Sequence, residues 1–130
     1  MRQLAVWIDG TEAKVFHVNG TTFDETTVQS PNHHIHRHPE DMDTRTRNHP
    51  DDEQRFFHEV VATLAGADQI LLAGPSATKL HFLRYVQKHD PALDQQVVGV
   101  ETADHPTDRQ FVAHVRHYFH NTLPRHGAET

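Results

Sequence analysis

The apolar positions of this chain change their period along its length, and the changes mark out its elements. The stretch "AVWIDGTEAKVFHVNGTTFDETTV" (residues 5–28) carries apolar, β-branched and aromatic residues in short runs, broken at Asp9-Gly10 and Asn19-Gly20. Both dipeptides suit the positive φ angles of two-residue hairpin turns, so the pattern predicts three antiparallel strands near residues 3–8, 12–18 and 21–29. In the second strand Ala13, Val15 and His17 alternate with Lys14, Phe16 and Val18, which implies partial cover on both faces.

Residues 30–50 then lose all periodicity, with three prolines and no glycine. Loops longer than about 12–15 residues are usually functional or disordered. A helical period starts in "DDEQRFFHEVVATLAG" (51–66), where Phe56, Phe57, Val60, Val61 and Leu64 share a face between an acidic start and Gly66. "QILLAG" (69–74) reads as a short strand buried on both faces and ended by Gly74-Pro75. Ser76 is placed to cap the next helix, which runs to about His89 with Leu80, Leu83 and Val86 inward. "QVVGVET" (96–102) predicts a second such strand. "HPTDRQFVAHVRHYFHNTL" (105–123) predicts a last helix, built on Phe111, Val112, Val115, Tyr118 and Phe119. The order β-β-β-α-β-α-β-α implies an α/β fold of three layers, a mixed five-stranded sheet in ribonuclease H-like order. Residues 1–123 form one domain in this reading, with the loop 30–50 between strand three and helix one and a flexible tail at 124–130.

Composition narrows the picture further. A chain of 130 residues, 35% of them hydrophobic, suits one core. It has no cysteine, which removes disulfides and thiolate metal sites and agrees with a reducing cytoplasm. The run of five apolar residues at 4–8, before Asp9, is too short for a signal peptide or a membrane span, so no membrane partner is expected. The net charge of −6 argues against indiscriminate coating of nucleic acid. Fourteen histidines nevertheless outnumber that excess, so the sign reverses as pH falls through the histidine range near 6.5. "HPED", "HPDD" and "HPTD" (38–41, 49–52, 105–108) share one grammar: proline at a first helical position and an early carboxylate at the positive helix end.

Three stretches carry a family resemblance. They are "AVWIDGTEAKVFHVNG", an opening hairpin with an aspartate turn; "ILLAGPSATKLHFL", a strand followed by Gly-Pro and then Lys and Phe in a helix; and "QQVVGVETADHP", a late strand and its exit. In this order and spacing the chain resembles the central domain of archaeal and eukaryotic class-1 peptide-chain release factors and their relative Pelota. It also resembles a group of short bacterial translational machinery proteins made of this domain alone. The resemblance covers roughly residues 4–120 and implies a cytoplasmic, ribosome-facing role with the ribosome or tRNA as partner. In release factors the segment between strand three and helix one carries Gly-Gly-Gln, whose glutamine helps water cleave peptidyl-tRNA. Here that segment is "SPNHHIHRHPEDMDTRTRNHPDDEQ", without glycine, and Gln54 already belongs to the helix. The resemblance therefore implies binding without peptide release. Pelota, which also lacks the motif, works on ribosomes.

Three readings of the segment stay open. As an RNA contact, Arg37, Arg45 and Arg47 bind phosphate while His33, His34, His36, His38 and His49 stack on or hydrogen-bond to unpaired bases, with Glu40, Asp41 and Asp43 offsetting the arginines. Lys79, on the first turn of the second helix, adds one more phosphate contact. As a metal site, His34, His36, His38 and His49 supply imidazoles to Zn²⁺, the cofactor of a metal-binding protein or metal-dependent hydrolase, although the first reading requires no cofactor. The third reading is a polar linker. Elsewhere the chemistry is thinner. "GPSATK" lacks the spacing of a phosphate loop and reads as a strand-to-helix turn. Asp9 sits at the strand end where ribonuclease H-like nucleases hold a first metal-binding aspartate, and Glu53 or Glu59 offers a second carboxylate. The set is incomplete, since "AGPS" stands where another aspartate is wanted, and Asp9 reads as a turn residue. His114, His117 and His120 flank the apolar face of the last helix and read as surface residues.

Overall fold

Gln3–Ile8 form β1, the centre of the sheet, and the alternation of its side chains divides the molecule into two cores. The computed structural model describes residues 2–31 and 50–129. β2 (Glu12–Asn19), β3 (Thr22–Gln29), β4 (Gln69–Gly74) and β5 (Val97–Thr102) complete a single sheet in the order β3-β2-β1-β4-β5. β1 pairs antiparallel with β2, and β2 with β3, while β4 lies parallel to both β1 and β5. The helices are α1 (Pro50–Thr63), α2 (Thr78–His89), the one-turn α3 (Pro91–Asp94) and α4 (Asp108–Glu129).

Leu4, Val6 and Ile8 point to one face, where Phe56, Phe57 and Val60 of α1, Leu64 just after it, and Phe82 and Val86 of α2 pack on them. Ala5 and Trp7 point to the other, under Phe111, Val112, Val115 and Phe119 of α4. Helices thus cover both faces of a mixed five-stranded sheet, the expected three-layer α/β fold. β3 buries only Val28 in its eight residues, and its Asp24 and threonines suit a solvated edge. At Gly74 a Cβ would collide with the Ile8 carbonyl oxygen, so glycine lets β4 approach β1. Among the described residues no helix is long and apolar enough to cross a membrane.

Several local expectations are corrected. The first hairpin does not turn on a positive φ at Gly10, since Gly20 and Gly66 alone show one among the described residues. Asp9 closes it instead: Oδ1 accepts from Thr11 N at 2.8 Å, Thr11 Oγ1 at 3.0 Å and Glu12 N at 2.9 Å. In the second hairpin Asn19 stays in the ladder opposite Thr22, and the two-residue loop is Gly20-Thr21 with φ +54° at Gly20. Ser76 does not cap α2; Ala77 holds the N-cap position with no side-chain bond. Leu80 is 46% exposed rather than inward, because Lys79, Phe82 and Val86 form the buried face. Pro106 lies outside α4, whose start is a capping box: Thr107 Oγ1 accepts from Gln110 N at 3.1 Å, and Gln110 Oε1 accepts from Thr107 N at 3.0 Å. The α3 turn, which the sequence pattern does not announce, starts with Asp90 Oδ1 accepting from Leu93 N at 3.2 Å and buries Leu93. Helical geometry continues past Leu123 through Pro124 to Glu129.

Candidate functional site

Most of the residues predicted to make contacts, His33, His34, His36, Arg37, His38, Arg45, Arg47 and His49, lie outside the described residues, as do the four proposed zinc ligands among them. The described chain does place the start of that segment. β3 runs parallel to β1, so the chain leaves the sheet at the end where β1, β4 and β5 also finish. Ser30 N donates to Thr11 O at 2.9 Å, which ties this exit to the first hairpin turn. In open α/β sheets, ligands gather at this carboxyl end of the parallel strands.

Lys79 is the remaining predicted contact. It is 7% exposed, and its Nζ donates to the Ser76 carbonyl at 2.8 Å within its own first turn. Asp9 is taken up by the turn, and Glu53 lies 3.6 Å from His81 Nδ1 between α1 and α2. Among the described residues no three His, Cys, Asp or Glu side chains come together as a metal site, so Asp9, Glu53 and Glu59 do not assemble one.

What the fold does assemble at this end is a cleft between β1, β2 and the start of α4. It is about 130 Å³ in volume and is lined by Trp7, Phe16, Phe111, His105, Glu12, Lys14, Pro106 and Asp108. Trp7 is 5% exposed; its Nε1 donates to the carbonyls of Asp104 at 2.8 Å and Ala103 at 3.2 Å. These bonds hold the β5–α4 loop, bringing the His105 ring within 5.0 Å of the indole. Phe16 and Phe111 form the second ring pair, 5.3 Å apart.

Lys14 is the polar centre. It shares the α4-facing side of β2 with Phe16, where Nζ donates to Asp108 Oδ1 at 3.2 Å and lies 4.0 Å from Glu25 Oε2. The hydrogen bond to Asp108 raises Lys14 above its ordinary value, with Glu25 and Glu12 adding attraction. Burial pushes the Glu25 carboxyl up, reinforced by the Asp108 carboxylate beside it. A groove of about 470 Å³ continues past Pro106 and Phe111 along Glu101, Gln110 and His114, with His114 Nε2 2.6 Å from Glu101 Oε1. Sequence reasoning missed this cluster. Its one visible signal was Lys14, a charge between Ala13 and Val15 on a strand expected to be covered on both faces.

No protein-family model and no curated protein matches the chain by sequence. Solved structures match it by fold. Pelota of Archaeoglobus fulgidus superposes with a TM-score of 0.62 at 17% identity, over 89% of this chain and 31% of that one. Pelota of Thermoplasma acidophilum gives 0.56 at 22% identity, over 83% and 29%. An archaeal translation termination factor, aRF1, gives 0.52 at 12% identity, over 80% and 30%. The chain therefore spans less than a third of the length of each, and the likeness is one of fold.

Proposed function

We propose that the chain is a translation-associated binding module without peptide-release activity, docking on the ribosome or tRNA through residues 30–50. The observation that carries this reading is the likeness of most of the chain to part of Pelota and of an archaeal translation termination factor. Two features of the chain support it. The segment leaves the sheet at its carboxyl end, and it carries Arg37, Arg45 and Arg47 among five histidines, with no Gly-Gly-Gln. Its contact residues are His33, His34, His36, Arg37, His38, Arg45, Arg47 and His49. Lys79 joins them only if its ammonium exchanges the Ser76 carbonyl for a phosphate. Ribosome co-sedimentation at low salt is the test. The chain is expected in the ribosomal pellet, and an Arg37, Arg45, Arg47 triple-alanine variant should be depleted from it. A wild-type protein that stays in the supernatant at both neutral and mildly acidic pH would sink the reading.

The histidine spacing favours one other reading, a zinc-binding protein in which His34, His36, His38 and His49 are the ligands. Elemental analysis of protein purified without a nickel column decides it. Stoichiometric zinc is expected on this second reading, and metal-free protein removes it.

A further inference from the structure

The cleft under the start of α4 is not used by the contact surface proposed above, and its chemistry is different. An engineered cavity of about 150 Å³ accommodates benzene, so a cleft of about 130 Å³ takes one planar head group and not a whole nucleotide. Its accessible ring is His105, exposed and 5.0 Å from Trp7, while Phe16 and Phe111, 1% and 3% exposed, close its floor. Its charge is one ammonium, Lys14, between two lining carboxylates, Glu12 and Asp108, with Glu25 4.0 Å from the ammonium. Lys14 is already engaged by Asp108 and Glu25, so an incoming anion would gain little from it and would face the carboxylates. A neutral ring would stack on His105 but leave the excess carboxylate charge uncompensated. A guanidinium meets both demands, since its face stacks on aromatic rings and its edge forks onto carboxylate oxygens. A lysine ammonium offers no flat face.

We infer that this cleft receives an arginine side chain from a basic, arginine-rich peptide segment of a protein partner. The adjoining groove along Glu101, Gln110 and His114 gives the neighbouring residues of such a segment a second acidic rim. The receptor is built before the ligand arrives. The indole N–H pins the 103–104 backbone, and the capping box at Thr107 and Gln110 fixes the first turn of α4. This preorganisation lowers the ordering cost of binding.

The chain has a single tryptophan, and it lies in the cleft, so its emission reports occupancy directly. Titration with a blocked oligo-arginine peptide should shift or quench Trp7 emission saturably. An oligo-lysine peptide of equal length should bind at least about fivefold more weakly. Glu12→Gln and Asp108→Asn should each weaken the arginine peptide about tenfold, while Lys14→Gln should tighten it several-fold by removing the competing cation. A purely structural cluster would not give opposite signs for Lys14 and Asp108, provided circular dichroism shows both variants folded. If either fails to fold, the arginine–lysine comparison on the wild type, with competition by free argininamide, decides alone. The inference fails if Trp7 does not respond, if lysine equals arginine, if Lys14→Gln weakens binding, or if single-stranded RNA occupies the cleft instead. None of these outcomes depends on ribosome co-sedimentation, so this inference and the ribosome reading fail separately.

Discussion

A methyl group at position 74 has no room, because the first atom it meets is the Ile8 carbonyl oxygen of the neighbouring strand. Overpacking of a well-filled core costs about 1–3 kcal/mol, and an obstacle of backbone cannot rotate away. Gly74→Ala should therefore lower stability by about 3 kcal/mol, read as a reduced urea midpoint. Glu25 behaves in the opposite sense. Its carboxyl is raised by burial, so the folded chain holds that proton more tightly than the unfolded one. The resulting stabilisation is present below the ordinary carboxylate value and is lost as pH rises through the raised one. Ionised Glu25 thus opposes the fold at neutral pH. Glu25→Gln should raise the thermal midpoint near pH 7, and the advantage should vanish below about pH 4, where both chains carry a neutral group. Lys14 has the reverse neutral-pH role: raised above 10.5, it favours the fold until pH climbs through its folded value. Single residues are only partly legible in the sequence. Asp9-Gly10 announces a turn, but whether glycine φ or aspartate oxygen closes it cannot be told from the dipeptide, and here it is the aspartate.

Elements are more legible than residues, because each strand and helix repeats its burial several times over. β1, β4 and α1 fall where the periods predict them, since every buried position on them is apolar. The α2 face departs from its apolar period for a physical reason. A lysine stem buries as hydrocarbon, so Lys79 stands on the inward stripe while Leu80, one position on, faces water. Four residues are too few to show a period, which hides α3. The cleft is illegible for a different reason, since Lys14, Glu25 and Asp108 come from three elements. Glu25 reaches Lys14 through the register that sets it opposite Phe16, and Asp108 through the docking of α4. That docking has its own clasp at the far end of β2. Arg116 Nε donates to Gly20 O at 2.8 Å and a terminal nitrogen donates to Thr22 O at 3.2 Å, tying α4 to the second hairpin turn. Arg116→Ala should cost about 1 kcal/mol, since the bonds are charge-assisted but exposed. Amide hydrogen exchange should quicken in the turn at residues 19–22, and unchanged exchange there would mean the clasp does not hold α4 to the hairpin.

For the whole molecule, the sign of the charge matters more than any single pair. The formal charge is −6 with histidines neutral, yet fourteen histidines can reverse it. The two candidate surfaces divide this charge unequally. The cleft under α4 sets two lining carboxylates and the nearby Glu25 against one ammonium, whereas residues 30–50 hold three arginines and five histidines against Glu40, Asp41 and Asp43. Of the two surfaces, the segment proposed to meet RNA therefore gains more positive charge on mild acidification. Histidines titrate around pH 6.5, and each one charged near a phosphate favours release of condensed counterions. Affinity for ribosomes should rise several-fold between about pH 7.5 and about pH 6, with a steeper dependence on salt at the lower pH. Replacing His33, His34, His36, His38 and His49 by glutamine should keep polar contacts but flatten that rise. The two measurements together separate charge from shape. A flat wild-type profile would assign binding to the arginines and to the geometry of the sheet's carboxyl end. A rise that survives the glutamine variant would place its cause outside residues 30–50.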